Sequence, residues 1–318
     1  MAKGAQRIDE SSQQDKPVVL VTGGSGFLGK HLVKTLADSK RTVVTMYRHK
    51  LPEPMPNVYP VCTDLESVDL LKAPLRGVET VIHLAWDETF AGSGDAKSGA
   101  GLESKNVLRL QNMIEAMEHV GTKRMILVSA NGASREAKSA FLKEKYVTEH
   151  LLINSKISEK IILRPTILFE GSRESDRFVR SIANITKLPG IYPVPKVGGK
   201  IAPVHVQDCC EVLKNITQMD FPSGVAILEL VGGEKYTVRE IFRMVADRYN
   251  KGAKLQITGG IGDALSKFVD KSRNKQAGSQ VGQILAVSHD VCKHTRKANP
   301  MVRSLPRDFR SFREALKD

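Results

Sequence analysis

The run Val18-Val19-Leu20-Val21-Thr22, followed by Gly23-Gly24-Ser25-Gly26-Phe27-Leu28-Gly29, constrains this chain more than any other stretch. An apolar, β-branched segment reads as a buried strand, and it feeds directly into a glycine-rich turn. Lys30 to Ala37 then has helical spacing. Gly24, Gly26 and Gly29 fit G-x-G-x-x-G in the strand–turn–helix setting that a dinucleotide fingerprint requires. Glycine allows the tight turn and lets backbone approach a pyrophosphate, and the helix start offers free N–H groups to that anion. Gly24 to Lys30 also spells the opening of a P-loop. That motif needs Ser or Thr next, to hold magnesium, and His31 stands there instead.

Composition narrows the class. A chain of 318 residues with 41% hydrophobic content can build one large domain, or a core domain with a smaller companion. No apolar run approaches the length of a membrane span. Met1 to Lys16 is polar and lacks the apolar centre of a signal peptide, so a disordered leader and a cytoplasmic location are expected. Cys62, Cys209, Cys210 and Cys292 show neither metal-ligand spacing nor a disulfide framework, and no metal is expected. The adjacent Cys209 and Cys210 read as buried thiols of a reducing compartment. The net charge of +13 suits an anionic protein or membrane surface as partner. These charges are scattered and no stacking aromatic motif accompanies them, so nucleic acid is not an expected partner.

Taken in order, strands are expected at Pro17–Thr22, Arg41–Tyr47, Val58–Cys62, Val78–Ala85, Lys123–Ser129 and Lys160–Leu163. Helices are expected over the stretch to Ala37, at Val68–Lys72, Leu102–Val120 and Glu136–Ile153. Ala91–Gly101 is rich in Gly, Ser and Ala and reads as a mobile loop. Strands alternating with helices imply a doubly wound parallel sheet, the Rossmann arrangement of α/β proteins. After Gly171 the alternation loosens, with elements at Ala226–Val231 and Val238–Tyr249 and helices expected near both ends of the basic segment Ala264–Asp318. The expected division is residues 1–16 leader, 17–171 dinucleotide-binding domain, and 172–318 a smaller α/β substrate or lid region interleaved with the core.

Thr22-Gly23-Gly24-Ser25-Gly26-Phe27-Leu28-Gly29 resembles the T-G-x-x-G-x-x-G motif of extended short-chain dehydrogenase/reductases, which include nucleotide-sugar epimerases and dehydratases. Asp64-Leu65 resembles their adenine-contacting pair, His83-Leu84-Ala85 their H-x-A element, and Asn106-Val107 an Asn-Val on the central helix. Arg164-Pro165-Thr166 resembles their R-P-x element, and Val206-Gln207-Asp208 a V-x-D segment. The chain is most similar to the atypical branch that includes the NADPH-binding accessory subunit of respiratory complex I. The resemblance implies a dinucleotide held by residues 23–29, Asp64, Leu65, Leu84, Ala85, Lys145, Arg164 and Pro165.

The departure from the family lies where its members carry Tyr-x-x-x-Lys. Lys145 and Glu149 fix the register, which puts Phe141 at the tyrosine position. The family tyrosine exchanges a proton with substrate, and its lysine lowers the tyrosine pKa and binds ribose. Phenylalanine has no proton to give. Tyr146, five residues on, turns to another helix face. The family serine falls on Ser129 or on Asn131. After Met46-Tyr47 come Arg48, His49 and Lys50, and no acid appears before Glu53. A cation in place of the ribose-binding acid favours NADP(H), with NAD(H) the alternative. His83 and Asp208 read as structural groups, and Asp87 and Glu88 as unpaired acids beside the loop.

Three functions are compatible with these residues. The first is an atypical member that holds NADP(H) structurally or as a redox sensor. The second is an NADP-dependent oxidoreductase or epimerase/dehydratase-like enzyme, with a replaced proton donor and a nucleotide-linked or lipid-like substrate. The third is a basic scaffold for nucleic acid, which the scattered charge disfavours.

Overall fold

A computed structural model describes residues 18–87, 104–137, 139–187, 191–194, 199–250, 255–257 and 304–317. The expected loop Ala91–Gly101, Glu88, Cys292 and the first of the two C-terminal helices lie outside these residues.

Seven parallel strands form one sheet. They are β1 (Val18–Thr22), β2 (Thr42–Tyr47), β3 (Val58–Cys62), β4 (Val78–His83), β5 (Arg124–Val128), β6 (Glu159–Pro165) and β10 (Gly224–Leu230). Their spatial order is β10-β6-β5-β4-β1-β2-β3. The chain builds outward from β1 to β3, returns to the other side of β1 for β4, and builds outward again. That reversal between β1 and β4 opens a crevice at the carboxyl ends of the two strands, where doubly wound sheets bind ligands.

Both faces of the sheet are covered, which explains why the strands are apolar runs without alternation. Successive side chains of β1 go to opposite faces. Val19 and Val21 pack with Leu32 and Leu36 of α1 (Phe27–Asp38) and with Val212 and Leu213 of α6 (Val206–Gln218). Leu20 packs on the other side with Leu110 and Met113 of α3 (Lys105–Val120) and Leu71 of α2 (Val68–Lys72). Burying each such side chain contributes roughly 1.5–3 kcal/mol. Cys209 and Cys210 belong to the α6 core, and burial pushes both thiols up, Cys210 to about 12.

The fourth helix, α4, spans Ala140–Ile153, four residues shorter at its start than the expected Glu136–Ile153. The start of the expected span instead carries a turn closed by Ala137 N–H to the Ser134 carbonyl, at 3.3 Å. Expected β4 also ends earlier, at His83 rather than Ala85, because Thr22 takes over the next two backbone N–H groups.

A smaller cluster follows β6. It contains β7 (Leu168–Phe169) paired with β9 (Val204–His205), β8 (Ile191–Pro193) paired with β11 (Leu255–Ile257), α5 (Arg177–Ile185), α7 (Val238–Tyr249) and α8 (Phe312–Ala315). Phe312 packs edge-on to Phe169, ring centroids 4.9 Å apart, and closes this second core. Asp208, buried at the start of α6, accepts the Arg310 backbone N–H at 2.8 Å and pairs with the Arg310 guanidinium. It ties the C-terminal segment down, the structural part expected for it. Among the described residues no helix is long and apolar enough to cross a membrane.

Candidate dinucleotide site

The glycine turn leaves β1 at the mouth of the crevice, and its glycines have different reasons to be glycine. Gly23 sits at φ +69°, and a Cβ there would stand 2.9 Å from the Ala85 backbone. A Cβ on Gly24 would run into the Thr45 hydroxyl, and one on Gly29 into the Gly23 carbonyl. These three positions let β1, β2, β4 and α1 approach one another. Gly26 differs. It is exposed, and its φ of −73° suits any residue. Among the described residues a Cβ added there would meet only the Gly23 carbonyl, at 3.1 Å. Its free space faces outward, where an approaching ligand would be. Gly26 also starts α1, whose first turn has neither a capping side chain nor an acid, so its N–H groups and positive dipole end stay open to an anion. Ser25 is exposed beside it, Phe27 is half-buried, and Leu28 points into the core.

Thr22 latches the opposite wall. Its hydroxyl oxygen accepts the N–H groups of Leu84 and Ala85, each at 3.1 Å. Two incoming donors leave the hydroxyl proton for His83 Nδ1, 3.1 Å away, which places the ring proton on Nε2. Burial, and then the positive charge of Lys145, hold His83 down at about 3. It is a neutral structural histidine, as its place at the end of a buried strand implied.

Beyond Ala85, Trp86 and Asp87 complete that wall. Asn106 on α3 clamps Asp87 by its backbone, accepting its N–H at 2.8 Å and donating to its carbonyl at 3.1 Å. The Asp87 carboxylate meets two guanidiniums, Arg48 at 3.2 Å and the buried Arg109 at 3.5 Å. This corrects two expectations from sequence. Asp87 is paired, and Arg48 does have an acid beside it, one that arrives from the end of β4 rather than of β2. Arg109 also binds Glu66, at 3.0 Å. Asp64 is exposed just past β3, and Leu65 turns inward at φ +65° with its carbonyl held by Asn112 at 3.0 Å.

The far end of the crevice is built by α4 and β5. Phe141 and Lys145, one turn apart, share a face. The Phe141 ring meets the Trp86 indole edge-on at 5.7 Å, and the Lys145 ammonium lies 3.6 Å above the Trp86 ring while donating to the Val128 carbonyl at 3.1 Å. Tyr146 turns away and packs on His150, 4.3 Å between centroids. Among the described residues the buried Ser129 hydroxyl has no hydrogen-bond partner. Asn131 donates to Glu229 at 2.7 Å.

Arg164 stands apart from this wall. Its guanidinium binds Glu149 in a two-pronged pair, at 2.8 and 2.5 Å, and Glu229 at 2.9 Å. Burial opposes its charge, and the two carboxylates more than reverse that, so its pKa rises. Pro165 offers its carbonyl to the Asn131 N–H at 2.8 Å. Sequence reasoning missed Trp86, the Thr22 latch and the Arg48–Asp87–Arg109 group. The first had a signal: it is the chain's single tryptophan, directly after His83-Leu84-Ala85.

The residues suit a dinucleotide: an open helix start, a turn with outward space at Gly26, and a buried serine hydroxyl without an acceptor among the described residues. The profile of the NAD(P)H-binding family matches residues 23–187, more than half of the chain. The chain belongs to the NAD(P)H-binding family. Among curated relatives, it is 27% identical over 241 residues to NADH dehydrogenase (ubiquinone) 1 alpha subcomplex subunit 9, mitochondrial, of Arabidopsis thaliana. That match covers 72% of this chain and 57% of the relative, so the chain spans little more than half the relative's length. It is 28% identical over 240 residues to ceramide reductase of Caulobacter vibrioides, covering 72% of this chain and 69% of that one. Its fold is shared with an NADPH-dependent quinone oxidoreductase of Escherichia coli, solved with NADPH, at a TM-score of 0.68, 15% identity and 94% and 98% coverage. The chain is thus an NAD(P)-binding protein with a Rossmann-like fold, similar in sequence to the complex I subunit and in fold to solved epimerases and reductases.

Proposed function

We propose that the protein holds NADP(H) in the crevice between β1 and β4 as a structural or redox-sensing group, without the turnover typical of Tyr-Lys family members. The observation that carries this reading is Phe141 on the Lys145 face of α4, with Tyr146 turned to His150. The bound cofactor would supply a hydride donor or acceptor. The chain's own groups divide the remaining tasks. The N–H groups at the start of α1 and the turn at Gly26 take the pyrophosphate. Asp64 receives the adenine amino group, and Lys145 and Ser129 reach the nicotinamide ribose and its surroundings. Among the described residues no phenol stands beside Lys145 to move a proton at a substrate oxygen, and general acid–base help of that kind is worth about a hundredfold to ten-thousandfold.

Arg48 supports the choice of NADP(H). In its pair with Asp87 the Arg48 side chain is exposed while Asp87 is mostly buried, and a pair open to water at one end is worth about 1 kcal/mol. A charge-assisted contact to a 2′-phosphate is worth about 1.5–3 kcal/mol. Exchange of partners is therefore favourable, and Asp87 keeps the buried Arg109 when Arg48 leaves.

One observation favours a second reading, a reductase of a lipid-like substrate: Lys145 remains in place, as does the Ser129 hydroxyl, which has no partner among the described residues, and a ceramide reductase is among the relatives. The two readings separate in one experiment. Native mass spectrometry of the purified protein should show NADP(H) bound. NADPH consumption with sphingoid ketones, quinones and nucleotide sugars should be near background in the parent and should rise in Phe141→Tyr. Robust turnover by the parent refutes the structural reading, and turnover lost in Tyr146→Phe would identify a displaced donor.

A further inference from the structure

A second built cleft lies at the opposite end of the sheet, where the strands begin. It has a volume of about 570 Å³ and is lined by Arg41 before β2, Val78 and Glu79 of β4, Lys123 and Arg124 at β5, and the end of α6 at Met219. Two guanidiniums share it. Arg124 commits Nε to Glu159 at 2.5 Å and Nη1 to the Thr217 carbonyl at 3.5 Å, which leaves Nη2 without an acceptor among the described residues. Arg41 is half-buried, and among the described residues its side chain has neither a hydrogen bond nor an ion pair, with Nη1 shut off from water. Burial lowers the Arg41 pKa, the exposed Glu79 partly offsets this, and the facing charge of Arg124 lowers it further.

A guanidinium carries five N–H donors and does not give up its charge. Holding one half-buried against a second, with no acceptor, is costly unless an anion joins them. A tetrahedral phosphate dianion accepts from several donors at once, here the Arg41 guanidinium and Arg124 Nη2. Lys123 stands exposed at the rim as a third cation, and Asp220, just past the end of α6, is an acid that the anion has to displace or avoid. The volume exceeds that of a bare phosphate and falls within the range of small-molecule sites, about 300–1,000 Å³. Val78 and Met219 give it an apolar wall.

We propose that this cleft binds the phosphate of a small phosphorylated organic molecule between Arg41 and Arg124, at a site separate from the dinucleotide crevice and independent of what the crevice holds. The probe is phenyl phosphate, titrated into the full chain with amide NMR and calorimetry, in the parent and in Arg41→Gln, Arg41→Lys and Gly26→Val. Expected are shifts at residues 78–80 and 121–124, about tenfold or greater weakening in Arg41→Gln, a smaller loss in Arg41→Lys, and no change in Gly26→Val. Three results overturn the proposal: no shift up to about 10 mM ligand, beyond the millimolar range of a weak specific site; shifts confined to residues 23–27 and lost in Gly26→Val; or equal affinity in the parent and both Arg41 variants. Should Arg41→Gln not fold, mapping in the parent together with Lys123→Gln decides the same question.

Discussion

Stability and cofactor affinity should come apart at two glycines only three residues from each other. At Gly29 an added Cβ overlaps the Gly23 carbonyl and stands 2.7 Å from the Gly24 Cα, and both obstacles are backbone. The turn itself must therefore move, and overpacking of this kind costs about 1–3 kcal/mol. Gly29→Ala should lower the midpoint of thermal unfolding by several degrees, at about 2–4 °C per kcal/mol for a domain of this size. At Gly26 the φ is ordinary and the space open, so stability should hold within about 1 kcal/mol: lost chain entropy helps slightly, and a poorer helix cap slightly hurts. Binding should fail instead, because a valine side chain stands where the pyrophosphate must approach the helix start. One lost charge-assisted contact of about 1.5–3 kcal/mol reduces affinity about tenfold to a hundredfold or more. Denaturant unfolding without ligand, paired with NADPH titration calorimetry, separates the two effects. Gly26→Val binding NADPH as tightly as the parent, or Gly29→Ala as stable as the parent, would refute the division of labour within the turn.

Two further outcomes test the electrostatics. Arg48→Ala should weaken NADPH about tenfold or more and leave NADH nearly unchanged, and equal losses in calorimetry would sink the phosphate assignment. His83, held at about 3 by burial, is protonated more readily in the unfolded chain; its contribution is complete above pH 6.5 and is lost as pH falls toward 3, by about 1.4 kcal/mol per pH unit. Urea unfolding between pH 7 and 5 should show that slope reduced in His83→Asn, whose amide oxygen can take the Thr22 proton; an unchanged slope would contradict it, since His31 and His205, also lowered by burial, then account for all of it.

Much of the frame was legible because it depends on local pattern. The apolar β1 run, the glycine spacing and the strand–helix alternation each follow from backbone geometry within a few residues, and together they imply a parallel doubly wound sheet, though not the order of its strands. What stayed hidden came from pairs far apart in the chain. Arg48 and Asp87 are 39 residues apart and meet only because β2 and β4 flank β1. Arg164 reads by motif as a cofactor contact, yet two carboxylates from α4 and β10 hold it, and Glu229 reaches it only through the pairing of β10 with β6. The start of α4 is not fixed by the sequence, because Glu136 to Ser139 is polar enough for either a turn or a first helical turn.

The persistence of Lys145 beside Phe141 does not by itself argue for catalysis. In a Tyr-x-x-x-Lys enzyme the lysine acts on the tyrosine, and without the phenol that task is gone. Here the ammonium already has structural work: it donates to the Val128 carbonyl at the end of β5 and lies over the Trp86 ring at the end of β4, joining two strand ends across the crevice wall. Its charge also helps keep His83 neutral, and so preserves the Thr22 latch that holds Leu84 and Ala85 in place. A lysine can thus be required for the shape of a dinucleotide site without taking part in proton transfer. Lys145→Met keeps the stem and removes both the donor and the charge, so it should weaken NADPH binding whether or not the protein turns over a substrate. Trp86 fluorescence should report the change, because the single indole loses its cation. If Lys145→Met bound NADPH as the parent does, with the Trp86 emission unmoved, the lysine would have no such part, and its presence would again favour an enzyme.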